Sequence, residues 1–146
     1  MPYFMYVALQ GDDKILTFKM DPDSGKLEPQ EELAISGGPA PLAVDPQRRY
    51  LYAGRRESKE LSSFSIDQKT AGLSLIGTVP LETDSVYLAT DRKGRFLLSA
   101  YYEGSMVTVH TIGEDGAVMD PPVQTLPTAR GAHSVQADPC NKFAFV

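Results

Sequence analysis

Among the side chains able to move a proton or grip an anion, His133, the pair Arg55-Arg56 and the pair Tyr101-Tyr102 stand out by position rather than by motif. An imidazole can serve as general acid or base, or donate to a substrate oxygen. A guanidinium offers a planar fork matched to carboxylate or phosphate, and a tyrosine adds a hydroxyl on an apolar body. Together they suit a small, anionic, oxygen-rich ligand. The sequence has no Gly-x-Ser-x-Gly elbow, no His-Glu-x-x-His, no phosphate-binding Gly-x-x-x-x-Gly-Lys and no paired-cysteine zinc spacing. Its two histidines, His110 and His133, lie in different segments, so no sequence-local metal site is expected. Any site must be assembled from several parts of the chain.

The elements that would assemble it are written as a repeat. An aspartate, a turn, a basic residue and an apolar strand recur as Asp45-Pro-Gln-Arg-Arg-Tyr-Leu-Tyr-Ala-Gly, Asp91-Arg-Lys-Gly-Arg-Phe-Leu-Leu-Ser-Ala and Asp138-Pro-Cys-Asn-Lys-Phe-Ala-Phe-Val, with the aspartates 46 and 47 residues apart. A second phrase keeps the beat: Ile15-Leu-Thr-Phe-Lys-Met before Gly25, Leu61-Ser-Ser-Phe-Ser-Ile before Gly72, and Val107-Thr-Val-His-Thr-Ile before Gly116. Two phrases on one period of about 46 residues fit a four-stranded blade. One period reads as strands over Pro41–Val44, Tyr50–Gly54, Leu61–Ile66 and Leu73–Leu81.

The expected class is all-β: a β-propeller of four-stranded antiparallel blades, about three blades of seven. A β-sandwich has no reason to keep this beat in two phrases. A WD40 propeller should carry Gly-His and Trp-Asp pairs, and the sequence has no tryptophan. Residues 1–146 read as one partial propeller truncated at its C-terminal end, because Lys142-Phe-Ala-Phe-Val matches Arg49-Tyr-Leu-Tyr-Ala and stops inside a second strand. Open blade edges would then favour self-association. Tyr50, Tyr52, Phe64, Phe96 and Leu98 are expected between blades.

Positions equivalent by register should share a structural role, and a departure needs another reason. Five residues before the three aspartates stand Ala40, Val86 and His133, at the start of the innermost strand beside the channel. His133 is therefore either an acid/base or donor group or a histidine bonding a loop carbonyl. At the exit of the second strand stand Leu9-Gln10, Arg55-Arg56 and Tyr101-Tyr102. Arg55, Arg56 and Tyr102 are candidates for substrate binding; the alternative is a solvated arginine pair near Glu57 and Glu60 beside packing tyrosines. His110, aligned with Phe18 and Phe64, reads as structural. Asp45, Asp91 and Asp138 read as turn formers, since Asp bonds its own downstream backbone.

A formal charge of −5 with no basic cluster beyond Arg48-Arg49 and Arg55-Arg56 argues against nucleic acid as a partner. No apolar run approaches the roughly 20 residues a spanning helix needs. The first ten residues lack a basic n-region and cleavage site. With one cysteine, Cys140, the chain reads as cytoplasmic, with no membrane partner.

The runs Pro41-Leu-Ala-Val-Asp-Pro-Gln-Arg-Arg-Tyr-Leu-Tyr-Ala-Gly-Arg-Arg, Ala100-Tyr-Tyr-Glu-Gly-Ser-Met-Val-Thr-Val and Gly131-Ala-His-Ser-Val-Gln-Ala-Asp-Pro resemble the first blades of the lactonase family of seven-bladed propellers, of the 6-phosphogluconolactonase type. The resemblance covers essentially the whole chain. It implies ring-opening hydrolysis of 6-phosphogluconolactone in the pentose phosphate pathway, a small anionic sugar lactone as partner, and no metal or organic cofactor. His133 matches a histidine of the related carboxy-muconate cyclases, and Arg56 an arginine common in the lactonase branch. Ser134, beside His133, joins the substrate-binding candidates. The family often has Asn where this chain has Tyr101. A cyclase-like lactonizing enzyme and a non-enzymatic binding propeller remain as alternatives.

Overall fold

The computed structural model describes residues 3–146. Among these residues, thirteen strands form four antiparallel sheets. The first holds β1 (Tyr3–Leu9), β2 (Lys14–Met20) and β3 (Leu27–Ala34); the second, β4 (Pro39–Val44), β5 (Tyr50–Arg55), β6 (Glu60–Ile66) and β7 (Leu73–Pro80). The third holds β8 (Tyr87–Thr90), β9 (Phe96–Tyr101), β10 (Met106–Thr111) and β11 (Gln124–Pro127); the fourth, β12 (Gln136–Ala137) and β13 (Ala144–Phe145). A single 3-10 turn, Gln10–Asp12, is the helical content among the described residues. The expected blades appear twice in full. The first sheet differs: by register β1 matches β5 and β9, so among the described residues it has no counterpart of the innermost strands β4 and β8.

Alternation along β5 and β9 buries both faces of their sheets. Leu51 and Ala53 point toward the first sheet and pack with Ile15 and Phe64. Between them Tyr52 points the other way, into Leu61, Val79, Leu88 and Leu97. One sheet on, Leu98 and Ala100 meet Val107, Ala132 and Val135. Tyr52, Phe64 and Leu98 are buried as expected, but Tyr50 and Phe96 are only half-buried. Both start their strands at the rim, where the guanidinium of the preceding residue covers the ring: Arg49 lies 5.1 Å above Tyr50 and Arg95 5.6 Å above Phe96.

The aspartates form turns, as their repetition indicated. Asp45 Oδ1 accepts the backbone N–H of Arg49 at 2.5 Å and of Tyr50 at 2.8 Å. Asp91 repeats this with Arg95 and Phe96 at 2.6 and 3.0 Å, and Asp138 with Lys142 and Phe143 at 2.7 and 2.9 Å. Three residues after each aspartate the backbone turns left-handed, at Arg48 (φ 59), Gly94 (φ 67) and Asn141 (φ 57). In the outer phrase the left-handed positions are Gly25, Ala71 and Gly116, so the second copy places Ala71 where its sequence suggests the following glycine, Gly72. Counting from the turn aspartates Asp21 and Asp67, not from the glycines, gives the true register.

Candidate functional site

Where the inner strands of neighbouring sheets begin and the second strands end, a cleft of about 430 Å³ opens. It is lined by Ala40, Val86 and His133, the three positions one register apart, and by Arg56 and Tyr102 from the exits of β5 and β9, with Pro41 and Glu103. Antiparallel pairing explains the convergence, since Pro39 at the start of β4 pairs with Arg55 at the end of β5. His133 is exposed to the cleft, and its ring meets Tyr102 edge to face, with centroids 5.9 Å apart and planes at 86°.

Arg56 and Arg55 leave β5 in opposite directions. Arg56 reaches the next sheet, where Nε and Nη2 both donate to Asp84 Oδ2, at 3.1 and 2.7 Å. Burial alone would raise the Asp84 carboxyl, but hydrogen bonds and charge from Arg56 outweigh it and hold the group below the usual carboxylate range. Arg55 turns away from the cleft: its Nε donates to the Ser36 carbonyl at 2.6 Å and its Nη1 lies 2.9 Å from Glu60. Ser134 is exposed but does not line the cleft. The structure thus brings together His133, Arg56 and Tyr102, and leaves Arg55 and Ser134 outside.

Two acids of the cleft region escaped the sequence reading. Glu103 follows Tyr102 as Glu57 follows Arg56, so the register could have offered it. Asp84 stands where the sibling segments have Gly38 and Gly131. An acid interrupting two glycines was a legible departure, but its partner was not, since it lies 28 residues from Arg56.

A second cavity, of about 330 Å³, lies between the second and third sheets and is lined by Tyr101, Thr108, His110, Glu82 and Asp120 among others. Thr108 Oγ1 stands 3.0 Å from the Tyr101 hydroxyl and 3.4 Å from His110 Nδ1. Burial pulls the His110 pKa below its ordinary 6.5, with Asp120 acting in the opposite sense. This is a buried histidine within a sheet interface, as its alignment with Phe18 and Phe64 suggested. Among the described residues no group of three or more histidine, cysteine or acidic side chains could hold a metal ion.

The chain is 34% identical over 142 residues to a 6-phosphogluconolactonase of Pectobacterium carotovorum, covering 97% of this chain and 42% of that protein. It is 32% identical to a 6-phosphogluconolactonase of Serratia proteamaculans, covering all of this chain and 43% of that protein. It therefore spans less than half the length of the curated relatives it matches. The crystal structure of a Bacteroides uniformis protein superimposes with a TM-score of 0.86 at 21% identity, over 97% of this chain and 43% of that one. A periplasmic gluconolactonase of Pseudomonas aeruginosa gives 0.79 at 19% identity, over 88% and 38%; at such identities the likeness speaks for the fold. The family described as "Lactonase, 7-bladed beta-propeller" matches residues 4–146, and with the four-stranded sheets and their period in agreement, the chain belongs to that family.

Proposed function

We propose that the cleft is part of a site hydrolysing 6-phosphogluconolactone to 6-phosphogluconate. The observation that carries this reading is the meeting of His133, Tyr102 and Arg56 in one cleft of a chain that aligns along its whole length with proteins named for that activity. Arg56 offers the anion its remaining N–H donors. His133 takes a proton from water as the water oxygen bonds to the lactone carbonyl carbon. Collapse of the tetrahedral adduct breaks the ring C–O bond, and the departing alkoxide recovers that proton. The Tyr102 hydroxyl donates to the developing oxyanion. A strained sugar lactone asks for modest catalysis, so no covalent nucleophile is required. The reading places the activity in the pentose phosphate pathway and, with the free thiol of Cys140 exposed, in a reducing cytoplasm.

The test is loss of freshly prepared 6-phosphogluconolactone, followed by NMR with and without the purified chain. Hydrolysis above the spontaneous rate that falls in His133→Ala supports the reading. A rate equal to the spontaneous one, with no binding of 6-phosphogluconate, overturns it for this chain.

A further inference from the structure

We propose that Asp84 is a positioning residue for anion binding, holding the Nε edge of Arg56 so that its Nη1/Nη2 edge is left for the ligand; this rests on the reading given above. A guanidinium has two edges that can bind an anion through parallel N–H bonds. Asp84 Oδ2 occupies one of them, at 3.1 Å from Nε and 2.7 Å from Nη2. Nη1 takes no partner among the described residues, and Arg56 lines the cleft with 36% of its side chain exposed.

The repeat separates this pair from an incidental surface contact. The same slot between sheets, second-strand exit against the loop before the next inner strand, recurs one blade on. There it holds Tyr102 against Gly131, whose added Cβ would stand 3.2 Å from the tyrosine ring. Gly38 and Gly131 have φ of 68° and 86°. At the equivalent position Asp84 gives up that freedom, and it does so in the one slot where the facing residue is an arginine. The one departure from glycine thus meets the one arginine among the exit residues Gln10, Arg56 and Tyr102. Asp84 is itself held: the Thr83 hydroxyl donates to Oδ1 at 3.3 Å. Thr83 in turn lies under Gly104, where a Cβ would come within 2.9 Å of its Cγ2, which lets the loop carrying Tyr102 and Glu103 close onto this segment.

Stability does not account for the pair, because ion pairs this exposed contribute little to it. The opposite role would be competition, with Asp84 neutralising Arg56 and resisting an anion. The two roles predict opposite signs. A pre-ordered arginine spares the ligand the cost of immobilising a long side chain, an advantage of about three- to tenfold in affinity; a competitor removed would tighten binding instead.

The experiment compares 6-phosphogluconate with unphosphorylated gluconate, titrated calorimetrically into the whole chain. Asp84→Ala should weaken 6-phosphogluconate binding about three- to tenfold, leave gluconate unchanged, and cost nothing further in an Arg56→Ala background. In turnover it should raise KM and spare kcat, and Asp84→Asn, which keeps an acceptor oxygen, should recover part of the loss. Unchanged or tighter binding in Asp84→Ala, or an equal loss without Arg56, overturns the proposal. A second readout needs no ligand: the 15N-labelled Arg56 Nε–H should exchange slowly with solvent in the wild type and rapidly in Asp84→Ala. Equal exchange in both overturns the positioning role. Protection lost in Asp84→Ala, with no preference for the phosphorylated ligand in the wild type, would leave Asp84 in place and sink the lactonase reading alone.

Discussion

Tyr102 and His133 meet edge to face across the seam between the third and fourth sheets, with ring centroids 5.9 Å apart. The contact ties a second-strand exit to the start of the next inner strand, so each ring limits the other's rotamers. Such a pair contributes about 0.5–1.5 kcal/mol beyond area. Tyr102→Ala should therefore let His133 swing and lower lactone kcat by up to about tenfold, from the lost contact alone. Tyr102→Phe keeps the contact and isolates the hydroxyl. Steady-state rates for the two variants decide: equal losses would assign the effect to the hydroxyl, and no loss in either would leave the pair as packing.

Gly116 fixes the outer turn of the third sheet against the second. Its φ is +85°, its carbonyl accepts the Tyr52 hydroxyl at 3.1 Å, and an added Cβ would collide with the Tyr50 ring. Gly116→Ala combines a left-handed penalty of about 1–2 kcal/mol with overpacking of about 1–3 kcal/mol. A loss of about 2–5 kcal/mol in urea unfolding is expected. A midpoint unchanged from wild type would show that the seam yields easily.

Asp91 and Asp138 make the same turn in different surroundings. Asp91 is 6% exposed and also accepts Asn141 Nδ2 at 2.9 Å, which stitches the third sheet to the fourth. Asp91→Ala leaves buried donors unpaired and should cost about 2–4 kcal/mol. Asp138→Ala removes equivalent bonds where water can replace them and should cost clearly less. Equal losses in denaturant titrations would mean that turn geometry, not burial, sets the penalty.

The period carried most of what was legible. Turn aspartates, strand order and the convergence of Ala40, Val86 and His133 all follow from register, because each blade must solve the same packing problem. Register cannot say which way a strand-end side chain turns: adjacent Arg55 and Arg56 point to opposite faces, and only Arg56 reaches the cleft. Nor could it supply the Arg56–Asp84 pair, which joins two blades through a loop.

His110 replaces the phenylalanine of the two sibling phrases, Phe18 and Phe64, and is 2% exposed. Burial holds its pKa below the ordinary 6.5, opposed by Asp120, and Glu82 lines the same cavity. The unfolded chain consequently takes up this proton at higher pH than the folded one. Stability is then fully present above pH 6.5 and is lost as the pH falls through the folded value. Asp91 and Asp138, both shifted downward, act in the same direction but only near and below 3.8. Between about pH 7 and pH 5 the decline should therefore belong mainly to buried histidine. His110→Phe, which restores the sibling residue, should flatten the thermal midpoint over that interval while preserving the fold by circular dichroism. A decline as steep as wild type in His110→Phe would show that the acid sensitivity arises elsewhere in the chain.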